Sequence, residues 1–304
     1  MEQLLGSLPG AISLGMIWGI MAIGLYITYK ILAISDLTVD GSICTGAAVC
    51  TVMITSGADP WVAMLCAALA GALAGLVTGF LHTVLDIPAI LAGILTQLML
   101  WSVNLKIMGQ ANLSLPARNY DVILTQMNIG DSIVKLLIIS ALIIGVLYWF
   151  FGTELGCSIR ATGCNHNMSR AQGINTELNK VLGLVISNAI IAFSGALLAQ
   201  YQGFADINMG RGAIVIGLAA IVIGEVVLSK IARNFAVRLC GVLLGGAIYY
   251  IVYQVIVFIG IDTDLLKMLS AIVVAIFLGV PNLRAKYFNG IHKKIKQRTD
   301  TENA

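Results

Sequence analysis

Three polar interruptions in an otherwise apolar chain hold the side chains able to act on a solute. The first, Asp36-Leu37-Thr38-Val39-Asp40-Gly41-Ser42, sets two carboxylates within five positions between hydrophobic runs. Carboxylates there must be solvated or paired, and acidic residues among apolar helices commonly mark a solute or ion path. The second, Asp206-Ile207-Asn208-Met209-Gly210-Arg211-Gly212, follows 170 residues later with similar character and leads into a short Gly/Ala-rich run. The third, from Glu154 to Asn175, collects Arg160, Arg170, glycines and asparagines between two long apolar segments.

Single polar residues within or at the ends of apolar runs add to this set. Gln97, Asn104, Asn188 and Gln254 could each line a path or hydrogen-bond a neighbouring helix, the second use being the commoner. Of these, Gln97 and Asn188 join Asp36, Thr38, Asp40, Ser42, Asp206 and Asn208 as candidate pathway residues. His82 and Asp86, one helical turn apart, are expected to form an interfacial cap rather than a proton relay. Glu225 is expected to pair with Lys230 or Arg233.

The elements that position these residues follow from composition. Of 304 residues, 59% are hydrophobic and only 11% charged, against roughly 25% charged in soluble domains. A water-soluble globule is excluded, and the expected fold class is all-α, a polytopic transmembrane helix bundle. The net charge of +3 is too small to imply nucleic acid. The six cysteines show no paired metal-ligand spacing and are expected to be reduced packing residues. Met1-Glu2-Gln3 offers no positive n-region, so no cleaved signal peptide is expected. No HExxH, GxSxG or Gly-x-x-x-x-Gly-Lys-Ser/Thr sequence occurs, which argues against an enzyme and against an ATP-phosphate cradle in this chain.

Nine apolar segments, within a range of eight to ten, qualify as spans. They run from Ile12 to Ile34, Ile43 to Ile54, Trp61 to Leu85, Ala89 to Val103, Ile133 to Phe151, Val181 to Tyr201, Ala213 to Leu228, Leu239 to Ile259 and Leu266 to Val280. The second and seventh are short. One transmembrane domain is expected over residues 1–304, with an inner loop at 152–180, an external loop at 104–132 and a basic tail at 281–304. Lysine and arginine distribution puts the C-terminus in the cytoplasm and the N-terminus outside. By that count Asp36 lies at the cytoplasmic side and Asp206 at the external side, the pattern of an inverted repeat with broken helices. Gly71, Gly75 and Gly79 form a smooth stripe that should seat a neighbouring helix. Trp61, Trp101 and Trp149 fall near span ends, as an aromatic belt requires. In the inner loop a short helix is expected, with Asn165 as N-cap and Gly173 as its stop.

The inner-loop pattern Arg160-Ala161-x-Gly163-x-Asn165, then Ala171-x-Gly173-Ile174, resembles the cytoplasmic loop of ABC importer permeases for branched-chain amino acids and ribose-type sugars. Asp36-Leu37-Thr38-Val39 followed by Gly41-Ser42 is similar to a stretch of the sugar branch, with Asp40 inserted here. The resemblance covers roughly Ile12 to Val280. It implies a permease of the cytoplasmic membrane of a prokaryote, paired with a second permease copy or homologue. It further implies a cytoplasmic ATP-binding subunit, which would carry the ATP-Mg, and an external solute-binding protein that delivers cargo. Arg160, Gly163, Asn165, Arg170, Ala171, Gly173 and Ile174 would lie at the ATPase contact. The inner loop and external spacing look closer to the amino-acid branch, so an amino acid is the expected cargo. The alternatives are a sugar or nucleoside ABC permease, or a secondary transporter coupled to ions through Asp36, Asp40 and Asp206.

Overall fold

The computed structural model describes residues 2–116, 118, 120–228 and 234–258, with four further positions at 268, 272, 275 and 279. The chain divides into two compact units, Met1–Val255 and Ile256–Ala304, and the architecture below is that of the first. Most of the expected ninth span, the basic tail and the Lys230 and Arg233 positions lie outside the described residues.

Ten α-helices and one short strand pair make up this part of the chain. The helices are α1 (Glu2–Tyr26), α2 (Val39–Thr55), α3 (Pro60–Thr83), α4 (Ala89–Met108), α5 (Ile129–Phe150), α6 (Glu154–Cys164), α7 (His166–Ala171), α8 (Thr176–Gln202), α9 (Ala213–Leu228) and α10 (Phe235–Phe258). Strands β1 (Asn112–Ser114) and β2 (Phe204–Asp206) pair antiparallel, Leu113 opposite Ala205. Among the described residues six helices are long and apolar enough to cross a membrane, whereas α2 and α9 are shorter. Eight of the nine expected segments therefore coincide with apolar helices, in an all-α polytopic bundle.

Burial separates the centre of the bundle from its rim. The apolar stretch of α1 is 83% buried, that of α4 only 22%. Leu65, Leu69, Leu73 and Trp149 are exposed apolar side chains, as a lipid-facing rim requires. Trp61 and Trp101 are also exposed. Helix α8 is the second central element, packed against α1, α2 and α3. The glycine stripe of α3 makes this possible: side chains at Gly71 and Gly75 would collide with the backbone of Asn188 and Leu184. A β-carbon at Gly79 would lie 3.1 Å from the Val181 Cα. The stripe thus seats α8, and the close approach replaces the hydrophobic drive that lipid does not supply.

The two ends of the bundle are distinguished by what they carry. At one end sit the β1/β2 ribbon and the 109–128 connection; at the other sit α6 and α7. That connection is not a freely exposed loop. Leu115, Ile123 and Leu124 are buried, and the Ile123 N–H donates to Gln200 Oε1 at 2.9 Å. Helix α4 also runs on to Met108, which places Asn104 inside it rather than at its end.

Helix α1 does not stop cleanly. A π-helical turn at Ile27–Ile31 widens it, with Leu32 N–H donating to Ile27 O at 3.0 Å and Ile34 N–H to Thr28 O at 2.9 Å. Ala33 then takes a left-handed conformation at φ 54°. The chain next passes back into the bundle, where Asp36 and Thr38 are buried, before α2 begins. The π turn also places Lys30 2.9 Å from Glu225 of α9, a partner across the bundle that the sequence did not suggest.

Candidate functional site

The first polar segment lies within the bundle, not at its edge. Asp36 is 3% exposed, and its Asn188 partner stands about 18 Å along α8 from that helix's start at 1.5 Å per residue. The expected cytoplasmic-side position for this segment is therefore corrected to mid-bundle. Burial is tolerated because both carboxylate oxygens are satisfied. Oδ1 accepts the Thr38 N–H at 2.8 Å and Oδ2 accepts Asn188 Nδ2 at 2.8 Å. Asn188 Oδ1 in turn accepts the Ser42 hydroxyl at 2.6 Å. A threonine chain continues outward: Thr38 Oγ1 lies 2.8 Å from Thr78 Oγ1, which donates to Thr96 Oγ1 at 3.0 Å. Asp36, Thr38, Ser42 and Asn188 are thus brought together, and they lock α2, α3, α4 and α8 at one level. Thr78 and Thr96 were not singled out from the sequence, because isolated threonines in apolar helices usually bond their own backbone.

Asp40 has a different task. Helix α9 starts after Gly210-Arg211-Gly212 with no Ser, Thr, Asp or Asn of its own to receive its free N–H groups. Asp40 supplies the acceptor from another helix: Oδ2 takes the Gly212 N–H at 3.1 Å and Oδ1 the Ile214 N–H at 3.2 Å. Cys44 Sγ takes the Gly210 N–H at 3.1 Å. The N-termini of α2 and α9 therefore meet inside the bundle and the helices run apart toward opposite ends. Both preceding segments contain the same turn, since Asp206 Oδ1 accepts the Asn208 N–H at 2.7 Å as Asp36 does that of Thr38. Asp206 and Asn208 themselves lie at the ribbon end, away from the Asp36 network, with Asn112 Nδ2 3.4 Å from Asp206 Oδ2.

Beside this junction is a cavity of about 110 Å³ lined by Asp40, Gln97, Leu98, Trp101, Asn104 and Arg211, among others. Gln97 is the second expected pathway residue it gathers. Asn104 is 1% exposed, and neither atom of its amide has a hydrogen-bond partner among the described residues.

The inner loop folds into two helices where one was expected. Helix α7 has the expected cap and stop: Asn165 Oδ1 accepts the Met168 N–H at 3.0 Å, and Gly173 takes φ +81° with its N–H donating to Arg170 O. Helix α6 was missed because its eleven residues are only weakly apolar; its signal was Thr153, whose hydroxyl caps the Gly156 N–H at 3.4 Å. Gly163 packs against the Ile31 carbonyl, leaving no room for a β-carbon. Asn179 of α8 donates to Ser158 Oγ at 2.6 Å and Thr162 Oγ1 at 2.9 Å, tying α6 to the bundle. Arg160 stacks over the Phe235 ring at 5.6 Å, and Arg170 pairs with Glu177 at 3.1 Å. Burial, with Lys180 and Arg170 nearby, pushes the His166 pKa below its ordinary value. Asn165, Ala171 and Gly173 are exposed, Ile174 is half-buried, and Met168, which the sequence reading passed over, is 59% exposed on α7.

Other expectations divide. His82 Nδ1 lies 2.9 Å from Ile87 O rather than pairing with Asp86, because α3 ends at Thr83 and Asp86 follows it in a left-handed conformation at φ 57°. All six cysteines are free, with Cys44 and Cys50 buried, but Cys157, Cys164 and Cys240 are exposed and are not packing residues.

A bundle of membrane-crossing helices whose broken helices meet at a polar junction, with a capped helical loop tied to one end, defines a membrane transport permease. Residues 8–278 match the family described as branched-chain amino acid transport system, permease component, and the chain belongs to it as an ABC importer permease. It is similar to the tyrosine transport system permease protein of Clostridioides difficile, 39% identical over 88% of this chain and 89% of that one. An uncharacterized protein of Rickettsia prowazekii, RP368, is 36% identical over 85% of this chain and 91% of its own length. The autoinducer 2 import system permease protein LsrC of Yersinia enterocolitica is 30% identical over 61% of this chain and 52% of its own. No solved structure gives a significant match.

Proposed function

We propose that this chain forms the solute path of an ATP-driven amino-acid importer in the cytoplasmic membrane, with L-tyrosine the first cargo to test. In this reading α6 and α7 face the cytoplasm and the N-terminus and β1/β2 ribbon face outward. A cytoplasmic subunit binds ATP-Mg, an external protein delivers the amino acid, and a second permease subunit completes the path. This chain hydrolyses nothing itself.

The observation that carries the reading is the attachment of the α6–α7 unit. It projects an exposed Met168, yet its base is fixed to α1 through Gly163 and to α8 through Asn179. Force applied at α7 would reach the two central helices without being absorbed by a slack loop. From α8 it would pass through Asn188 to Asp36 and the start of α2. The amino-acid assignment is supported by the tyrosine permease relative, which aligns along nearly the whole of both chains.

The test is reconstitution of the full complex in proteoliposomes. The account expects L-tyrosine uptake that requires ATP on the α7 side and survives a protonophore. Uptake that proceeds without ATP and collapses with the ion gradient would reject it.

A further inference from the structure

The cavity beside the α2/α9 junction has a chemical character that helix packing alone does not require. It places an anion receptor and several cation receptors around one small space. Arg211 contributes a guanidinium that makes no hydrogen bond or ion pair among the described residues. Asp40 contributes a carboxylate whose oxygens each accept one backbone N–H and so retain further acceptor capacity. Gln97 adds an amide and Trp101 an indole. The Asn104 amide is fully buried, and neither of its atoms is paired among the described residues.

That unpaired amide is the decisive feature. A buried amide without partners is costly, and a leucine of similar size would fill the position at no such cost. Gln97 and Trp101 add further polar and aromatic surface to the same space. The arrangement makes sense if a polar ligand supplies what the protein withholds.

We propose that this cavity receives the zwitterionic head group of a free α-amino acid: its carboxylate lies on Arg211, and its ammonium lies among Asp40, the Asn104 and Gln97 amide oxygens and the Trp101 face. The guanidinium fork matches a carboxylate, and an ammonium suits a carboxylate, amide oxygens and an indole face. At about 110 Å³ the cavity holds the head group, so the side chain extends outward past Leu98. The site thus recognises what all amino acids share and leaves choice among side chains to another component. This deepens the amino-acid reading above and rests on it for the cargo.

The experiment uses the purified full-length permease in nanodiscs and radiolabelled L-tyrosine. Tyramine, which lacks the carboxylate, and 3-(4-hydroxyphenyl)propionate, which lacks the ammonium, are the competitors. Each should compete at least tenfold more weakly than unlabelled tyrosine. Arg211→Gln and Asn104→Leu should each weaken binding at least tenfold, with Arg211→Lys recovering part of the loss. Asn104→Leu should leave the melting temperature unchanged or raised, which a purely structural asparagine would not do. Absent binding, equal competition by all three compounds, or unaltered affinity in Asn104→Leu would overturn the proposal. ATP-driven tyrosine uptake at wild-type KM in Asn104→Leu would reject the subsite and leave the importer standing. Zwitterion-selective binding without ATP-driven uptake would do the reverse.

Discussion

Asp40 Oδ2 accepts the Gly212 N–H at 3.1 Å, joining the first turn of α2 to the opening of α9 across 172 positions of sequence. One side chain thereby replaces the N-cap that the α9 sequence lacks and pins two oppositely directed short helices to each other. Their favourable dipole ends converge on that carboxylate. A movement that parts α2 from α9 must break this contact.

Removing the cap should therefore loosen α9. Asp40→Ala is expected to cost about 1–2 kcal/mol, read as a lower melting temperature of the full chain in mild detergent. Asp40→Asn keeps one acceptor oxygen and should lose about half as much.

The buried network offers a sharper test of coupling between elements. Asp36 and Asn188 are 2.8 Å apart and nearly solvent-free. Asp36→Ala and Asn188→Ala should each destabilise by about 1–3 kcal/mol, because each leaves a buried polar partner stranded. The double variant should cost less than the sum of the two by about 1 kcal/mol or more, as a double-mutant cycle would show.

The α3 stripe predicts a graded response. At Gly75 a side chain meets the Leu184 backbone, so Gly75→Val should destabilise by about 3 kcal/mol and reduce accumulation in the membrane. At Gly79 the nearest atoms lie 3.1 Å from the added β-carbon, so Gly79→Ala should cost under about 1 kcal/mol. Thermal denaturation of the two variants side by side checks the order.

Orientation is open to chemical labelling. Asn112 of β1 and Asn165 before α7 are both exposed, at opposite ends of the bundle. Once Cys157, Cys164 and Cys240 are replaced by serine, Asn112→Cys should react in intact cells with an impermeant thiol reagent. Asn165→Cys should react only after the membrane is opened.

The long apolar helices, the glycine stripe and the α7 cap were legible in the sequence because each depends on local spacing. Asn165 and Gly173 act within a single turn of chain. The depth of the Asp36 segment was not legible. Its burial rests on Asn188, 152 positions away, and counting basic residues cannot reveal a segment that re-enters the bundle after a π turn. Asp206 and Asp36 share a local turn, which the sequence hinted at. The partnership of Asp40 with Gly212 is a long-range pairing with no local signal. For the same reason the contact of Glu225 with Lys30, far away in the sequence, had no local signal.

In this reading α7 receives the force that drives transport, and Met168 is the exposed apolar side chain it offers to the partner. Met168→Asp alters an exposed side chain and should leave the fold intact. In proteoliposomes holding the complete transporter, the account predicts that this variant loses at least tenfold in ATP-driven uptake while the permease melts at the wild-type temperature. Undiminished ATP-driven uptake by a folded Met168→Asp complex would contradict it.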